Sequence, residues 1–398
     1  MSTTRRDVIT GMAAFAAGQA LLSDAVAADK NPADQVADRT STIRIKKLQA
    51  TWVNPCVFLK IETNHGITGW GDLKGVDPRV SKPLAEALFD LIDGENPTRI
   101  EYLWQKIFRA HRDIRGGPFL VHTLAAIDMA LWDITGKLWG VPVYRLLGGP
   151  CRDRIRVYHT PQARKIGMGP MDHSSTPADI ERLVGMVQAT RKQVGPAGAV
   201  MFDAHSALPP ATLIQFASAI KPYDVLFIEE PAVPGNVEVF KRIKAAVNVP
   251  LAAGERDRTI WEFIPYLENR CLDILQPDCC HSGGISQIKK IATLAEAYHV
   301  PLAPHCTASN LGIAASLHAA SAVPFLLIHE FYPDNQGMNP GGIMKMDWKL
   351  DNEGYIGLPG GPGLGVEVDE KKLEEEGKKP QTYKWPRAKL KDGSVADY

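Results

Sequence analysis

The chain has 398 residues, with 45 basic against 45 acidic side chains, a formal net charge of zero and a sequence pI near 7.2. That balance excludes a chain built chiefly to neutralise nucleic acid or an anionic membrane, and 45% hydrophobic against 23% charged residues excludes general disorder. Six cysteines without a C-x-x-C spacing exclude a disulfide scaffold, and beyond the N-terminus no apolar run reads as long enough to cross a bilayer.

Arg5-Arg6, a weakly apolar stretch from Gly11 to Leu22 and the small-residue Ala25-Val26-Ala27 carry the three parts of an export signal over residues 1–28. The paired arginines point to the twin-arginine route and a periplasmic destination, or a cytoplasmic one if the signal is not used. A fraying amphipathic helix is the alternative. A small α+β unit follows over 40–150. Cys56 to Glu62 and Ile67 to Asp72 read as strands flanking a turn at Asn64-His65-Gly66, and helices are expected near 80–92 and 98–111. Leu124, Ile127, Leu131, Ile134 and Leu138 set a helical period from Pro118, ended by Gly140 and Pro142.

From 151 to 340 the pattern alternates. Short β-prone runs end at Asp203, Glu229, Glu255, Asp278, His305 and Glu330, at intervals of 26, 26, 23, 27 and 25 residues. Helical patterns such as Ala211–Ile220, Val237–Val247 and Ser286–Tyr298 lie between them. Each interval is about one β/α unit, and a barrel of such units gathers every strand's C-terminal end at one mouth. A doubly wound open sheet is the alternative, although it would collect polar residues mainly at its switch point. The segment 341–398 holds a Gly/Pro-rich stretch (357–365), a charged run over Asp369–Lys379 that reads as a solvated helix, and Trp385.

Asp203, Glu229 and Glu255 end successive strands. Carboxylates crowded there repel unless protonated or bridged by a cation, and hard oxygen donors suit Mg²⁺; the alternative is three independent caps or surface acids. Asp278 and His305 end the next two strands, where a carboxylate on one imidazole nitrogen would raise the basicity of the other. His205 lies two residues past Asp203, so strand alternation would turn both to one face and make His205 a candidate acid. Cys279, Cys280, His281 and Cys306 invite a zinc reading, but adjacent cysteines chelate one ion poorly and buried free thiols are expected.

Ala125 to Asp133 (AAIDMALWD), Phe227 to Pro231 (FIEEP), Ala253 to Arg256 (AGER), Gln276-Pro277-Asp278 and Ala303-Pro304-His305 together resemble the enolase superfamily, mandelate racemase subgroup. Phe202 to His205 and Pro362 to Glu367 resemble its galactonate dehydratase branch, and the likeness covers roughly residues 43–398. The resemblance implies a capping domain, formed by the N-terminal unit and the returning C-terminal segment, over a modified (β/α)7β barrel. It implies Mg²⁺ on Asp203, Glu229 and Glu255, an Asp278–His305 base, His205 as acid, and Glu330 hydrogen-bonded to the substrate carboxylate. The activity implied is dehydration of a sugar acid, such as galactonate, to a 2-keto-3-deoxy acid. The partners expected are that small-molecule acid and further copies of the chain in a homo-oligomer, with no nucleic acid and no membrane after signal removal. A racemase would need two bases flanking one carbon, often with a lysine on the second barrel strand, and no K-x-K motif is present there.

One length departs from the pattern. From His159 to Asp203 is 44 residues, whereas two average units need about 50. Ala178–Val194 reads as the helix before the third strand, leaving Pro161–Thr176 for both a helix and a strand. The first helix or the second strand is therefore expected to be truncated. That shortfall also motivates a third function, an exported acid-sugar binding protein with a lapsed site.

Overall fold

The computed structural model describes residues 41–110, 112–169, 176–333, 338–346, 348–384, 389–390 and 392–396. The export-signal reading over 1–28 and Trp385 lie outside the described residues. The capping unit opens with an antiparallel meander, β1 (Ile45–Val53), β2 (Cys56–Thr63) and β3 (Thr68–Leu73). Helices α1 (Pro78–Leu88), α2 (Ile100–Ala110) and α3 (Pro118–Trp139) cover it. Asp77 caps α1 by accepting from the Arg79 amide, and α3 starts on Pro118 and stops at Gly140 in the left-handed conformation, φ 67°.

Helix α3 is apolar almost all round because it has packed elements on several sides. Its residues Leu124, Ile127, Leu131 and Ile134 enter the cap core with Leu59, Ile61, Leu103 and Trp104. Against β3 the backbones nearly touch: a Cβ on Gly71 would stand 1.9 Å from the Ala126 carbonyl oxygen. By length and composition α3 could cross a membrane, an exception to the expectation that no run was long enough, but it is spent as a buried core helix. Toward the barrel, Asp128 accepts from the Ser286 amide (3.1 Å) and hydroxyl, while Asp133 accepts from Trp70 and Leu364 amides (3.0 and 2.8 Å). The acids of the 125–133 motif therefore fasten the cap to the barrel and to the C-terminal segment.

After the one-turn helix α4 (Val143–Leu146), strand β4 (Arg154–Tyr158) and strand β5 (Ala163–Gly167) are followed by α5 (Pro177–Val194) and β6 (Ala199–Asp203). The alternation continues through α6 (Pro210–Ile220), β7 (Phe227–Glu229), α7 (Val237–Ala246), β8 (Leu251–Ala253), α8 (Thr259–Glu268) and β9 (Ile274–Leu275). Then come α9 (Ile285–Ala297), α10 (Asn310–Ser321) and β10 (His329–Glu330). Strands β5 to β9 pair in parallel and in order; bridges Leu275–Leu302 and Leu302–Leu326 carry the ring to β10, which pairs in parallel with β4. The interior is filled by one or two side chains per strand: Tyr158, Ala163, Ala199, Met201, Phe227, Ala252, Ile274, Ala303 and Ile328. A second shell, with Phe202, Phe216, Ile228, Phe240, Phe263 and Ile291, packs the strands' outer faces against the helices.

The length deficit falls on the helix. Strand β5 is intact and in register with β6, Ala163 opposite Ala199 and Gly167 opposite Asp203. Among the described residues no helix joins β4 to β5. Residues 159–162 make the link, with His159 at φ 67° and Thr160 and Ala163 exchanging backbone hydrogen bonds of 3.0 and 3.3 Å. The barrel is thus a (β/α)7β type without its first crossover helix. The C-terminal segment adds β11 (Met344–Lys345), β12 (Tyr355–Gly357), which pairs antiparallel with β4, β13 (Glu367–Val368) and α11 (Glu370–Gly377). Helix α11 is not wholly solvated: Leu373 is buried, and Glu370 reaches Lys60 of the cap at 2.7 Å.

Candidate active site

The side-by-side register of β6 and β7 sets Asp203 directly opposite Glu229. Glu255 follows β8 after Gly254, which turns the chain at φ 135°. One carboxylate oxygen from each of the three lies within 4.8 Å of the others. Burial pushes Glu229 well above the usual carboxylate range, and its buried Oε2 has no hydrogen-bond partner. A half-satisfied buried carboxylate beside two more is a donor set that fits a hard divalent cation. Asp203, Glu229 and Glu255 could hold one.

Lys165 also points into this cluster, and the sequence reading passed over it. Its buried ammonium lies 3.3 Å from Asp203, 3.0 Å from Glu229 and 2.9 Å from Glu330. Burial alone would lower its proton affinity, but Glu229, Glu330 and Asp203 outweigh it and raise the pKa well above the ordinary value. The second barrel strand therefore does bring a lysine to the mouth, though in the sequence Lys165-Ile166-Gly167 and not in a K-x-K motif. The signal was its spacing, two residues past the inward-facing Ala163 and so on the same face.

His305 and Asp278 meet as expected, Nδ1 to Oδ2 at 2.6 Å. With Nδ1–H donated there, Nε2 is left as the basic nitrogen, 3.7 Å from oxygens of both Glu255 and Glu330. Burial opposes protonation of His305, but Glu255, Glu330 and Asp278 raise its pKa to about 10. Burial likewise opposes ionisation of Asp278, yet His281, Lys74 and His305 hold it well below the usual carboxylate range. Glu330 is fully buried: Oε2 accepts from the Cys306 amide at 2.7 Å, while Oε1 faces Lys165 and His159 Nε2, the latter at 3.3 Å. His159 was read only as a strand end; its ring stacks on Tyr332 with centroids 3.8 Å apart.

His205 reaches the site by a different route from the one expected. Strand β6 ends at Asp203, and His205 lies beyond it in the left-handed region, φ 44°, so alternation does not aim it. Its amide donates to Asp203 Oδ1 (2.9 Å), and its ring sits between Asp203 Oδ2 (2.9 Å) and the Met168 carbonyl (2.7 Å). The hydrogen bond to Asp203 raises its pKa to about 9, and both nitrogens face acceptors, an arrangement that favours the protonated ring. Gly167 leaves it room: a Cβ there would stand 3.1 Å from His205 Cε1.

The zinc alternative does not form around the thiols. Cys279, Cys280 and Cys306 are buried and free, and burial raises each well above the ordinary thiol value. His281 instead gives Nδ1 to the Glu255 carbonyl (2.9 Å) and stacks on His122 of α3 with centroids 4.4 Å apart.

Residues 39–148 match the mandelate racemase/muconate lactonizing enzyme N-terminal domain, and residues 153–372 match the enolase C-terminal domain-like family. The D-galactonate dehydratase of Ralstonia pickettii (strain 12J) is 37% identical over 373 residues, 86% of this chain and 96% of that protein. An enolase from Agrobacterium radiobacter, solved with sodium and L-malate bound, aligns with a TM-score of 0.81 at 30% identity, covering 89% of this chain and 99% of that one. The 3,6-anhydro-D-galactonate cycloisomerase from Zobellia galactanivorans aligns with a TM-score of 0.76 at 29% identity, covering 84% and 99%. The chain belongs to the mandelate racemase/muconate lactonizing enzyme family of the enolase superfamily.

Proposed function

We propose that this chain is a Mg²⁺-dependent dehydratase of a sugar acid, an aldonate such as galactonate, giving a 2-keto-3-deoxy acid. The observation that carries the reading is the 2.6 Å Asp278–His305 pair on the same rim as the three carboxylates gathered within 4.8 Å. A proton α to a carboxylate is very weakly acidic, because its removal spreads a second negative charge over the carboxylate. Mg²⁺ held by Asp203, Glu229 and Glu255 would neutralise that charge as it develops. Asp278 fixes the His305 tautomer, and a cation held by Glu255 would offset the negative charge that raises the His305 pKa to about 10, leaving Nε2 to take the α-proton. His205 donates a proton to the departing 3-hydroxyl, which leaves as water, and the resulting enol ketonises. Glu330, tied to the Cys306 amide, would meet the substrate carboxylate, as the family resemblance implies, with Lys165 beside it balancing the negative charge.

An aldonate panel incubated with the Mg²⁺-loaded protein tests this. A 2-keto-3-deoxy product from one acid supports it, and no product from any acid despite bound metal overturns it. Lys165 favours a second reading, racemisation or epimerisation with two bases on one carbon. Its bonds to three carboxylates argue against it, because they hold the ammonium charged. Solvent deuterium at Cα with every hydroxyl retained would select that reading. Ligand-induced thermal shifts without turnover would select the binding protein. Export through residues 1–28 remains part of the proposal and is tested by the mass of the secreted protein.

A further inference from the structure

The cap reaches into the base. Lys74 follows β3 directly, is only 5% exposed, and its Nζ lies 3.0 Å from Asp278 Oδ2 and 3.3 Å from Thr307 Oγ1. That Asp278 oxygen is the one that accepts from His305, while Oδ1 accepts from the Cys280 amide at 2.6 Å. Both carboxylate oxygens are therefore engaged, one by the barrel backbone and the other jointly by His305 and a lysine 204 positions earlier in the chain. A buried ammonium is unfavourable unless paired, so the contact also fixes where the lysine can lie.

The loop is shaped to deliver it. His122 Nδ1 of α3 lies 2.9 Å from the Lys74 carbonyl. The next residue, Gly75, has φ 76°, and a Cβ there would stand 2.6 Å from His281 Nε2. Only a glycine in that conformation lets the cap loop pass over the His281 ring as closely as it does. His281 in turn stacks on His122, so cap helix, cap loop and barrel rim close around Lys74.

We propose that Lys74 is a positioning residue for the base, holding the Asp278 carboxylate in the orientation that locks His305, so that the barrel's dyad is completed by the docked cap. This rests on the reading of Asp278–His305 as the base. The test uses full-length, Mg²⁺-loaded, ¹⁵N-histidine-labelled protein. The His305 Nδ1–H resonance, identified by its loss in His305→Gln, is displaced or lost to solvent exchange in Lys74→Met and Lys74→Gln, recorded at a temperature where circular dichroism shows both variants folded. On the acid turned over in the aldonate panel, Lys74→Met lowers kcat about tenfold with KM little changed, and adds nothing further in an Asp278→Asn background.

An unchanged resonance in a folded Lys74 variant overturns the proposal. So does a raised KM at constant kcat, which would make Lys74 a substrate contact, or an effect that adds to Asp278→Asn. If His305→Gln itself keeps full turnover, the base reading fails. If His305→Gln is inactive and Lys74→Met is indistinguishable from the parent, only the role of Lys74 fails.

Discussion

On one side of the barrel mouth, Asp203, Glu229 and Glu255 come from three successive β/α units and meet because the units repeat. On the other side, Asp278 and His305 likewise come from successive units, but around them stand Lys74 and His122 from the cap and His281 from the loop after Asp278. The first side is local repetition read around a ring. The second is assembled across the seam between two domains, and the cap is part of it. Barrel regularity therefore suffices to gather three carboxylates, whereas orienting the Asp278–His305 pair recruits residues that no barrel period places.

If the two sides are separable in this way, their variants must fail differently. His305→Gln and Asp278→Asn should lower kcat by about 10²- to 10⁴-fold and leave Mg²⁺ affinity by calorimetry close to the parent's. Glu229→Gln should abolish Mg²⁺ binding and leave the His305 Nδ1–H resonance in place. Loss of both properties in either variant would break the comparison.

The next largest effect belongs to Lys165. Removing one partner of a buried ionic cluster costs about 3–5 kcal/mol, because the remaining charges stay buried without compensation. Lys165→Met should therefore unfold well below the parent in EDTA, and saturating Mg²⁺ should recover much of the difference. A melting temperature equal to the parent's without metal would show that Lys165 does not hold these carboxylates together.

Much of the three-carboxylate side could be read from the chain, because intervals of 23 to 27 residues between strand-end polar residues repeat the barrel's own period. Lys165 was missed because a K-x-K pattern was sought, although one lysine two residues past Ala163 is enough to face inward. His205 was assigned to the mouth by strand alternation, but a left-handed turn after Asp203 carries it there. Lys74 has no local signature: it follows β3 and meets its partner only when the domains dock. The shortage of residues before Asp203 was visible as a length, but not which element had gone. Physically the strand had to stay, since Ala163 and Lys165 fill the barrel's interior, whereas a crossover helix covers only the outside.

His318, on α10, and His329, behind Glu330, are fully buried, and burial lowers each to about 4. The unfolded chain gains these protons near pH 6.5 and the folded chain only near pH 4. Their contribution is therefore complete above pH 6.5 and is lost as pH falls toward 4, by up to about 1.4 kcal/mol per pH unit for each ring. His318→Gln should flatten the fall in urea stability across that window without altering the mouth; an unchanged slope would put the acid sensitivity elsewhere. The smallest effect is expected where cap and C-terminal helix meet in solvent. Lys60→Met, which removes the pair with the half-exposed Glu370, should change stability by no more than about 1 kcal/mol.

The central claim is tested most directly by the anomalous difference map of a crystal grown with Mn²⁺ in place of Mg²⁺. The account predicts one peak, about 2.1 Å from an oxygen of each of Asp203, Glu229 and Glu255, on the same rim as His305 Nε2. A peak on Asp278, His281 and His305 instead, or none at the three carboxylates, would contradict it.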